Sequence, residues 1–229
     1  MKLLLVAATE LELQPILGEA KYVPGSVFQL LQKGDSTVDV LITGVGIASA
    51  TFHITRLLSS RRYDLAIQAG IGGSFNKQIN LGDVVIVSND RFAQLGADDN
   101  ETFLDMFELG FSQPNNYPFV NGSLEPSIPA IAFNLNFKLV QAITVETASG
   151  NEQSIIKTVA KYHPDIESME GAAFFYSCLT ENVPCLQIRA ISNYIEDRNK
   201  DTWNIPLAIK NLNRVALKII HHVTQHISV

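Results

Sequence analysis

Short apolar runs, each closed by a glycine or a polar residue and followed by a helical stretch, recur along the whole chain. The first, Leu3-Leu4-Leu5-Val6-Ala7-Ala8, stops at Thr9, with Glu10 and Glu12 directly behind it. A run of this length with no polar face reads as a strand buried on both sides. Val27–Gln32 and Val38–Ile42 read as a strand pair around Lys33-Gly34-Asp35. Leu65–Ala69 ends in Gly70-Ile71-Gly72-Gly73, and Gly82-Asp83 introduces Val84–Val87. Further strands are expected at Leu139–Val145, Ile166–Ser168 and Pro184–Ser192. Between them lie helical patterns: Glu10–Gly18, interrupted by Pro15; Thr43-Gly44-Val45-Gly46 onward to about Leu58; Asn151–Lys161; a helix opened by Glu170-Gly171; and Trp203–Val223. In the last of these Ile205, Ile209, Leu212, Val215, Ala216, Ile219 and Val223 form one apolar stripe. Strands alternating with helices predict an α/β fold: one domain over residues 1–229, a mostly parallel mixed central sheet, and helices on both faces. From Asp98 to Pro129, with Pro114, Pro118, Pro126 and Pro129, the periodicity dissolves into an irregular excursion of the kind that forms lids and binding loops.

The composition narrows the function classes. A net charge of −6, with Arg61-Arg62 as the one basic doublet, argues against a nucleic-acid surface. Hydrophobic residues make up 46% of the chain and charged residues 17%, which suits a packed body rather than a disordered one. Cys178 and Cys185 fit no metal or redox spacing and sit in apolar runs, as buried thiols of a reducing cytoplasm do. The apolar start is too short for a signal peptide and runs straight into acidic residues, and no run reaches membrane-spanning length. The histidines offer no metal site: His53 and His163 stand alone, while His221, His222 and His226 crowd the end of the last helix, where cations suit the negative pole.

Two segments carry the chemistry. Glu167-Ser168-Met169-Glu170-Gly171 and Arg189-Ala190-Ile191-Ser192-Asn193 each end an apolar stretch at a strand–helix junction, where open α/β sheets bind ligands. A carboxylate, Glu170, and a carboxamide, Asn193, are thereby expected to face one crevice. Glycines at 44, 46, 70, 72 and 73 permit tight turns or close backbone approach, but neither segment is a dinucleotide fingerprint: Gly44 and Gly46 lack the third glycine, and no acidic residue follows at the ribose-reading distance. Glu12 has two readings: an acid favoured in a first helical turn, or a functional carboxylate at the mouth of the first strand.

With these residues taken together, the chain resembles the purine nucleosidase branch of the nucleoside phosphorylase superfamily over nearly its whole length. The resemblance rests on Glu12, Thr43-Gly44-Val45-Gly46, Gly70-Ile71-Gly72-Gly73, Leu81-Gly82-Asp83-Val84-Val85, Ser168-Met169-Glu170 and Arg189-Ala190-Ile191-Ser192. Within that branch it is most similar to the futalosine hydrolases, through Glu170-Gly171-Ala172-Ala173-Phe174-Phe175, Asn193-Tyr194-Ile195-Glu196-Asp197-Arg198-Asn199 and Trp203-Asn204-Ile205-Pro206.

The resemblance implies a nucleoside substrate, no cofactor and no metal, no nucleic-acid or membrane partner, and a homo-oligomer, dimer or larger. It implies that Glu170 holds the ribose hydroxyls, that Met169 packs on the sugar face, and that Glu12 is the general base for water. Gly70, Ile71 and Gly72 are expected at the glycine turn, and Thr147 and Ala148, within Glu146–Gly150, against the base. Relatives that act on adenine nucleosides carry Asp where this chain has Asn193. An amide NH₂ donates to purine N7 and to a 6-oxo oxygen, but meets a 6-amino group donor to donor, and a buried polar group left unpaired costs about 1–3 kcal/mol. The expected reaction is therefore hydrolysis of futalosine to hypoxanthine and dehypoxanthinylfutalosine, in a menaquinone route. The carboxylated aromatic end of that substrate needs an apolar wall, for which Phe92, Phe103, Phe107, Phe111 and Trp203 are candidates, and a cation, for which Arg198 is; the same residue types also serve cores and surfaces. Three other activities stay open on the residues alone. They are a methylthioadenosine/S-adenosylhomocysteine-type nucleosidase, an inosine or guanosine phosphorylase, and a nucleoside-binding protein without catalysis. Phosphorylases of the superfamily bring arginine to the glycine turns, and neither turn here contains a basic residue.

Overall fold

The N-terminal apolar run forms strand β1 (Lys2–Ala7), followed by helix α1 (Glu10–Leu17), in a computed structural model that describes residues 1–18, 24–34, 36–129 and 137–225. Next come β2 (Val27–Lys33) and β3 (Ser36–Ile42), an antiparallel pair, then α2 (Ile47–Leu58), β4 (Leu65–Ser74) and β5 (Val84–Phe92). Two small hairpins follow: β6 (Gly96–Asp99) with β7 (Thr102–Asp105), and β8 (Phe119–Val120) with β9 (Ser123–Leu124). The chain continues through β10 (Leu139–Thr144), α3 (Glu152–Tyr162), β11 (Ile166–Ser168), α4 (Gly171–Thr180), β12 (Cys185–Tyr194) and α5 (Ile205–Gln225). Asp35 in the expected first turn and His226 beyond α5 fall outside the described residues.

The fold is the α/β class expected, with a mixed central sheet and helices on both faces. β1 lies between β3 and β4, parallel to both, and β2 pairs with β3 at one edge. The other side of the sheet curls. β12 runs parallel to β4 and antiparallel to β5; β5 is parallel to β10, and β10 to β11. β11 then returns to the end of β4 through Glu167↔Gly73 and Ile166↔Ser74. Five strands thus close into a ring, which no local periodicity announces. Side-chain alternation sorts the core: Leu4 and Val6 of β1 pack in the cluster shared with α2 and α4, while Leu3, Leu5 and Ala7 pack in the cluster shared with α1 and α5. Burying each of those leucines completely contributes roughly 1.5–3 kcal/mol.

Four local expectations change. α1 continues through Pro15, which removes one hydrogen bond near the helix end, and stops at Gly18 with φ 71°. Gly70, Gly72 and Gly73 belong to β4 itself, not to a turn after it. The excursion between 98 and 129 is partly ordered as the two hairpins, the second docked on β5 through Asp90↔Leu124. Finally, β12 runs past Ser192 to Tyr194, so Asn193 lies inside a strand and not at its junction with a helix. The register of β12 against β4 shifts there: Ile191 faces Gly72 and Asn193 faces Gly73, leaving Ser192 as the extra residue of a bulge. A bulge reverses the side-chain alternation, turning Asn193 to the face opposite Ile191.

Candidate active site

The end of the ring opens into a cavity of about 320 Å³. Helix α1 brings Glu12, β4 brings Ile71, Gly72 and Gly73, the segment after β10 brings Ala148 and Ser149, and the junction of β11 and α4 brings Met169 and Glu170. The end of β12 brings Asn193, and Arg198 and Trp203 follow it.

Glu12 lies in the first turn of α1 and also lines the cavity. It is buried at 6% exposure, and its Oε2 accepts from the backbone N–H groups of Ala8 (3.1 Å) and Thr9 (3.0 Å) and from the Thr9 hydroxyl (3.2 Å), as an acid in a first helical turn does. Its Oε1 crosses to β4 and accepts from the Ile71 N–H at 3.1 Å. Three donors come from the turn that leads into α1 and a fourth from a strand joined to it only by the tertiary fold, so the carboxylate is fixed in place.

Glu170 caps α4 from just before Gly171. Its Oε1 accepts from the Gly46 N–H at 3.0 Å, and its Oε2 lies 3.8 Å from Nη1 of Arg189. Gly46 has φ 92°, a left-handed backbone that suits glycine and turns this N–H toward the carboxylate. Burial raises the Glu170 pKa above its ordinary value; Arg189 and the Gly46 N–H oppose the rise, while the charges of Glu12 and Glu146 reinforce it. Gly171 must be glycine, because a Cβ there would stand 2.2 Å from Oδ2 of Asp90 and 2.4 Å from Oε1 of Gln187.

Those two atoms belong to a polar chain inside the ring. Arg189, 1% exposed, donates through Nε to Gln187 (2.9 Å), through Nη2 to Gln68 (2.8 Å) and through Nη1 to the Ile71 carbonyl (3.4 Å). Gln187 donates to Asp90 at 3.2 Å. The Thr144 hydroxyl donates to Asp90 at 2.9 Å and accepts from the Ala172 N–H at 2.7 Å, at the start of α4. Full burial pushes the Asp90 carboxyl up to about 6, against the hydrogen bonds from Thr144 and Gln187 and the charge of Arg189.

Gly70 explains how close the groups are. A Cβ there would lie 2.3 Å from Nη1 of Arg189 and 3.0 Å from Oε1 of Glu12. The absent side chain lets a cation and a carboxylate converge beside the cavity. The glycine segment contains no basic residue, but the fold delivers Arg189 to it. The guanidinium is already occupied by Gln187, Gln68, Ile71 and Glu170, which makes it a poor receptor for a free phosphate.

Asn193 has a fixed orientation. Its Nδ2 donates to the Tyr194 carbonyl at 3.1 Å, and its Oδ1 accepts from the Ser192 hydroxyl at 2.8 Å. A flipped amide would set oxygen against the Tyr194 carbonyl. One amide hydrogen is therefore committed, and one remains for a ligand rather than the two the sequence reading used.

Among the remaining candidates, Met169, Ile71, Gly72, Ala148, Arg198 and Trp203 line the cavity, the Arg198 guanidinium lying 5.2 Å from the Trp203 ring centroid. Gly70 acts from behind the wall. Thr147 is exposed and does not line the cavity; its backbone N–H and C=O are both paired with the Gln94 side chain. Phe92 and Phe103 are elsewhere: Phe92 packs edge-on against Tyr176 of α4, and Phe103, on β7, lies over Lys161 of α3. Phe107 packs on Phe119, and Phe111 is 79% exposed. Phe92 and Phe103 are carried elsewhere by the strands they belong to, and Phe107 and Phe111 lie beyond the end of β7, none of which a count of aromatic residues reveals. Two residues were not singled out beforehand. Arg189 had a readable signal, a lone charge within the apolar run of Pro184–Ser192. Glu167, 4% exposed on β11, lines the cavity with its pKa raised by burial and opposed by the Ser149 N–H.

Comparison with known proteins places this arrangement. The family model described as the phosphorylase superfamily matches residues 2–225. A futalosine hydrolase of Streptomyces coelicolor is 29% identical over 188 residues, 79% of this chain and 77% of that protein. A futalosine hydrolase of Thermus thermophilus is 26% identical over 216 residues, 91% of this chain and 93% of that protein. Among solved structures, a 5′-methylthioadenosine/S-adenosylhomocysteine nucleosidase from Colwellia psychrerythraea in complex with adenine superposes with a TM-score of 0.77 at 21% identity, covering 96% of this chain and 95% of that one.

Proposed function

The chain belongs to the phosphorylase superfamily, and on that basis we propose that it hydrolyses the N-glycosidic bond of futalosine, releasing hypoxanthine and dehypoxanthinylfutalosine in menaquinone biosynthesis. The observation that carries hydrolysis is Glu12: a buried carboxylate fixed by three backbone donors, with Oε1 beside the cavity and close to Arg189. Oε1 receives one protein donor and keeps a lone pair for water.

Cleavage of a purine N-glycoside develops positive charge on the sugar and negative charge on the base. In this reading Glu170 accepts from the ribose hydroxyls, with its own oxygens anchored by Gly46 and Arg189, and Met169 packs on the sugar. Glu12 takes the proton of the attacking water, worth typically 10²–10⁴-fold in rate. Arg189 stands next to that water and balances the two carboxylates. The free N–H of Asn193 donates to the departing purine, stabilising its charge as an oxyanion-hole donor does. An incoming phosphate would meet Glu12 and Glu170, which favours water over phosphorolysis. The stacked Arg198–Trp203 pair suits the carboxylated aromatic end of the substrate.

The protein is further proposed to act in the cytoplasm as a homo-oligomer. Leu11 and Val45 at the cavity rim are 51% and 54% exposed, and Phe52 on α2 is 58% exposed, an apolar surface that a second copy would cover. The test is base release from futalosine, inosine and methylthioadenosine, each with and without phosphate. Hypoxanthine from futalosine without phosphate is expected. Strict phosphate dependence, or adenine release alone, overturns the proposal.

A further inference from the structure

Both carboxylate oxygens of Glu12 are held, but three of their four donors belong to the turn that begins α1 and move with it. The position of the carboxylate in the protein therefore depends on how α1 itself is fixed. With eight residues, Pro15 among them, α1 is too short to be stable by itself. Its start is tied by the Gly44 N–H, which donates to the Ala8 carbonyl at 2.9 Å. Beyond that point α1 lies against α5, and buried Leu13 packs in one cluster with Leu212 and Ala216. Apolar packing is non-directional: it sets how closely the two helices approach, not their rotation or slide along one another.

A buried polar side chain crosses this contact. Asn213 of α5, 2% exposed, donates from Nδ2 to the Glu12 carbonyl at 2.7 Å and to the Ile209 carbonyl, one turn back on its own helix, at 2.8 Å. A flipped amide would set oxygen against both carbonyls, so the orientation is fixed. Oδ1 is buried and has no hydrogen-bond partner among the described residues. An apolar residue here would avoid that open acceptor; what the amide contributes is its two donors. α5 is bonded in turn to the other side of the cavity. The Asn204 N–H donates to the Ser192 carbonyl at 2.7 Å, one residue before Asn193, and Asn211 donates to the Gly82 carbonyl at 2.8 Å.

We propose that Asn213 is a positioning residue for Glu12. It fastens the backbone of Glu12 to α5, and α5 is fastened to the end of β12 that carries Asn193. One helix thereby holds in register the group assigned to water and the group assigned to the departing purine. Asn213 does not line the cavity and acts only through Glu12. A shift of about 1 Å at a reacting group can cost on the order of a hundredfold in rate, so a backbone anchor at the base itself matters to turnover. The inference rests on the reading of Glu12 as the base for water.

Asn213→Leu keeps the branched outline of the side chain and removes both donors together with the open acceptor, so thermal unfolding should stay within a few degrees of that of the unmodified protein. With futalosine saturating, kcat should fall about tenfold to a hundredfold while KM changes by less than about threefold. In the Glu12→Gln background the same substitution should cost less than about twofold, because its effect passes through a base that is already gone. Asn213→Ser serves if leucine does not pack. On a helix its hydroxyl bonds the carbonyl four residues back, that of Ile209, and releases Glu12, so kcat should fall as it does with leucine. Hydrogen exchange reads the same displacement without turnover. The Ile71 N–H, whose acceptor is Oε1 of Glu12, should exchange about tenfold faster in either variant while the amides of β1 do not change. Undiminished kcat, an equal further loss in Glu12→Gln, or unchanged exchange at Ile71 overturns the proposal. If the unmodified protein leaves futalosine intact, the substrate assignment alone fails, and exchange at Ile71 still decides the role of Asn213. Full activity of Glu12→Gln would sink the base and its positioning together.

Discussion

Glu12→Gln tests the mechanism where the structure gives most leverage, because the cavity and the hydrogen bonds constrain how the new amide can sit. At the Oε2 position an NH₂ group would face three donors, the N–H groups of Ala8 and Thr9 and the Thr9 hydroxyl. At the Oε1 position it would face one, the Ile71 N–H. The amide therefore keeps its oxygen at Oε2 and places NH₂ at Oε1, the atom assigned to water. One buried N–H loses its acceptor, which lowers stability by about 1–3 kcal/mol, or roughly 2–4 °C in Tm for each kcal/mol in a chain of this size. Catalysis suffers more. The base is gone and a donor points at the attacking water, so kcat should fall 10²–10⁴-fold, equivalent to about 3–5 kcal/mol of barrier. KM should change by only a few-fold, since the ribose and base contacts are untouched. Steady-state hypoxanthine release from saturating futalosine measures the first effect and a thermal melt the second. A kcat within tenfold of the unmodified enzyme, with the expected drop in Tm, would show that Glu12 is structural and that the water is activated elsewhere.

Asn193→Asp sets a carboxyl oxygen 3.1 Å from the Tyr194 carbonyl, a contact that favours its protonated form. Hypoxanthine release should fall about tenfold to a hundredfold while release of adenine from the 6-amino analogue of futalosine rises relative to it; an unchanged ratio of the two rates would refute the donor assignment. Asp90 predicts a pH dependence of stability of a particular sign. Its carboxyl, ordinarily near 3.8 and pushed up to about 6, binds a proton more tightly folded than unfolded, so its contribution is most favourable below about 4 and is lost as pH rises through 6. The loss amounts to about 3 kcal/mol, and Glu167 and Glu170 act in the same direction. Urea midpoints measured from pH 4 to 7 should show Asp90→Asn with a flatter profile than the unmodified protein; parallel profiles would refute the argument.

The sequence by itself determined the class of fold, because strand and helix identity are local. Leu3–Ala8 has no polar face and can only be buried on both sides, and the stripe from Ile205 to Val223 can only be one side of a helix. It also pointed to Glu12, Glu170 and Asn193, as polar residues close to the ends of apolar runs, where open α/β sheets bind ligands. What it could not fix is anything that depends on which strands become neighbours. The closure of β11 onto β4 is a pairing between segments about ninety residues apart, and it is what sets Glu167 level with Gly73. The bulge at Ser192 is a register shift of one residue, invisible in composition, yet it turns Asn193 to the opposite face. Arg189 shows the same limit from the other side: its charge is legible in an apolar run, but only the tertiary structure brings it beside Gly70 and Glu12. Phe92 and Phe103 were drawn to the site by residue type and removed from it by strand direction. Local chemistry names the groups available; long-range pairing, where one residue of slip reverses every side chain, decides which of them meet.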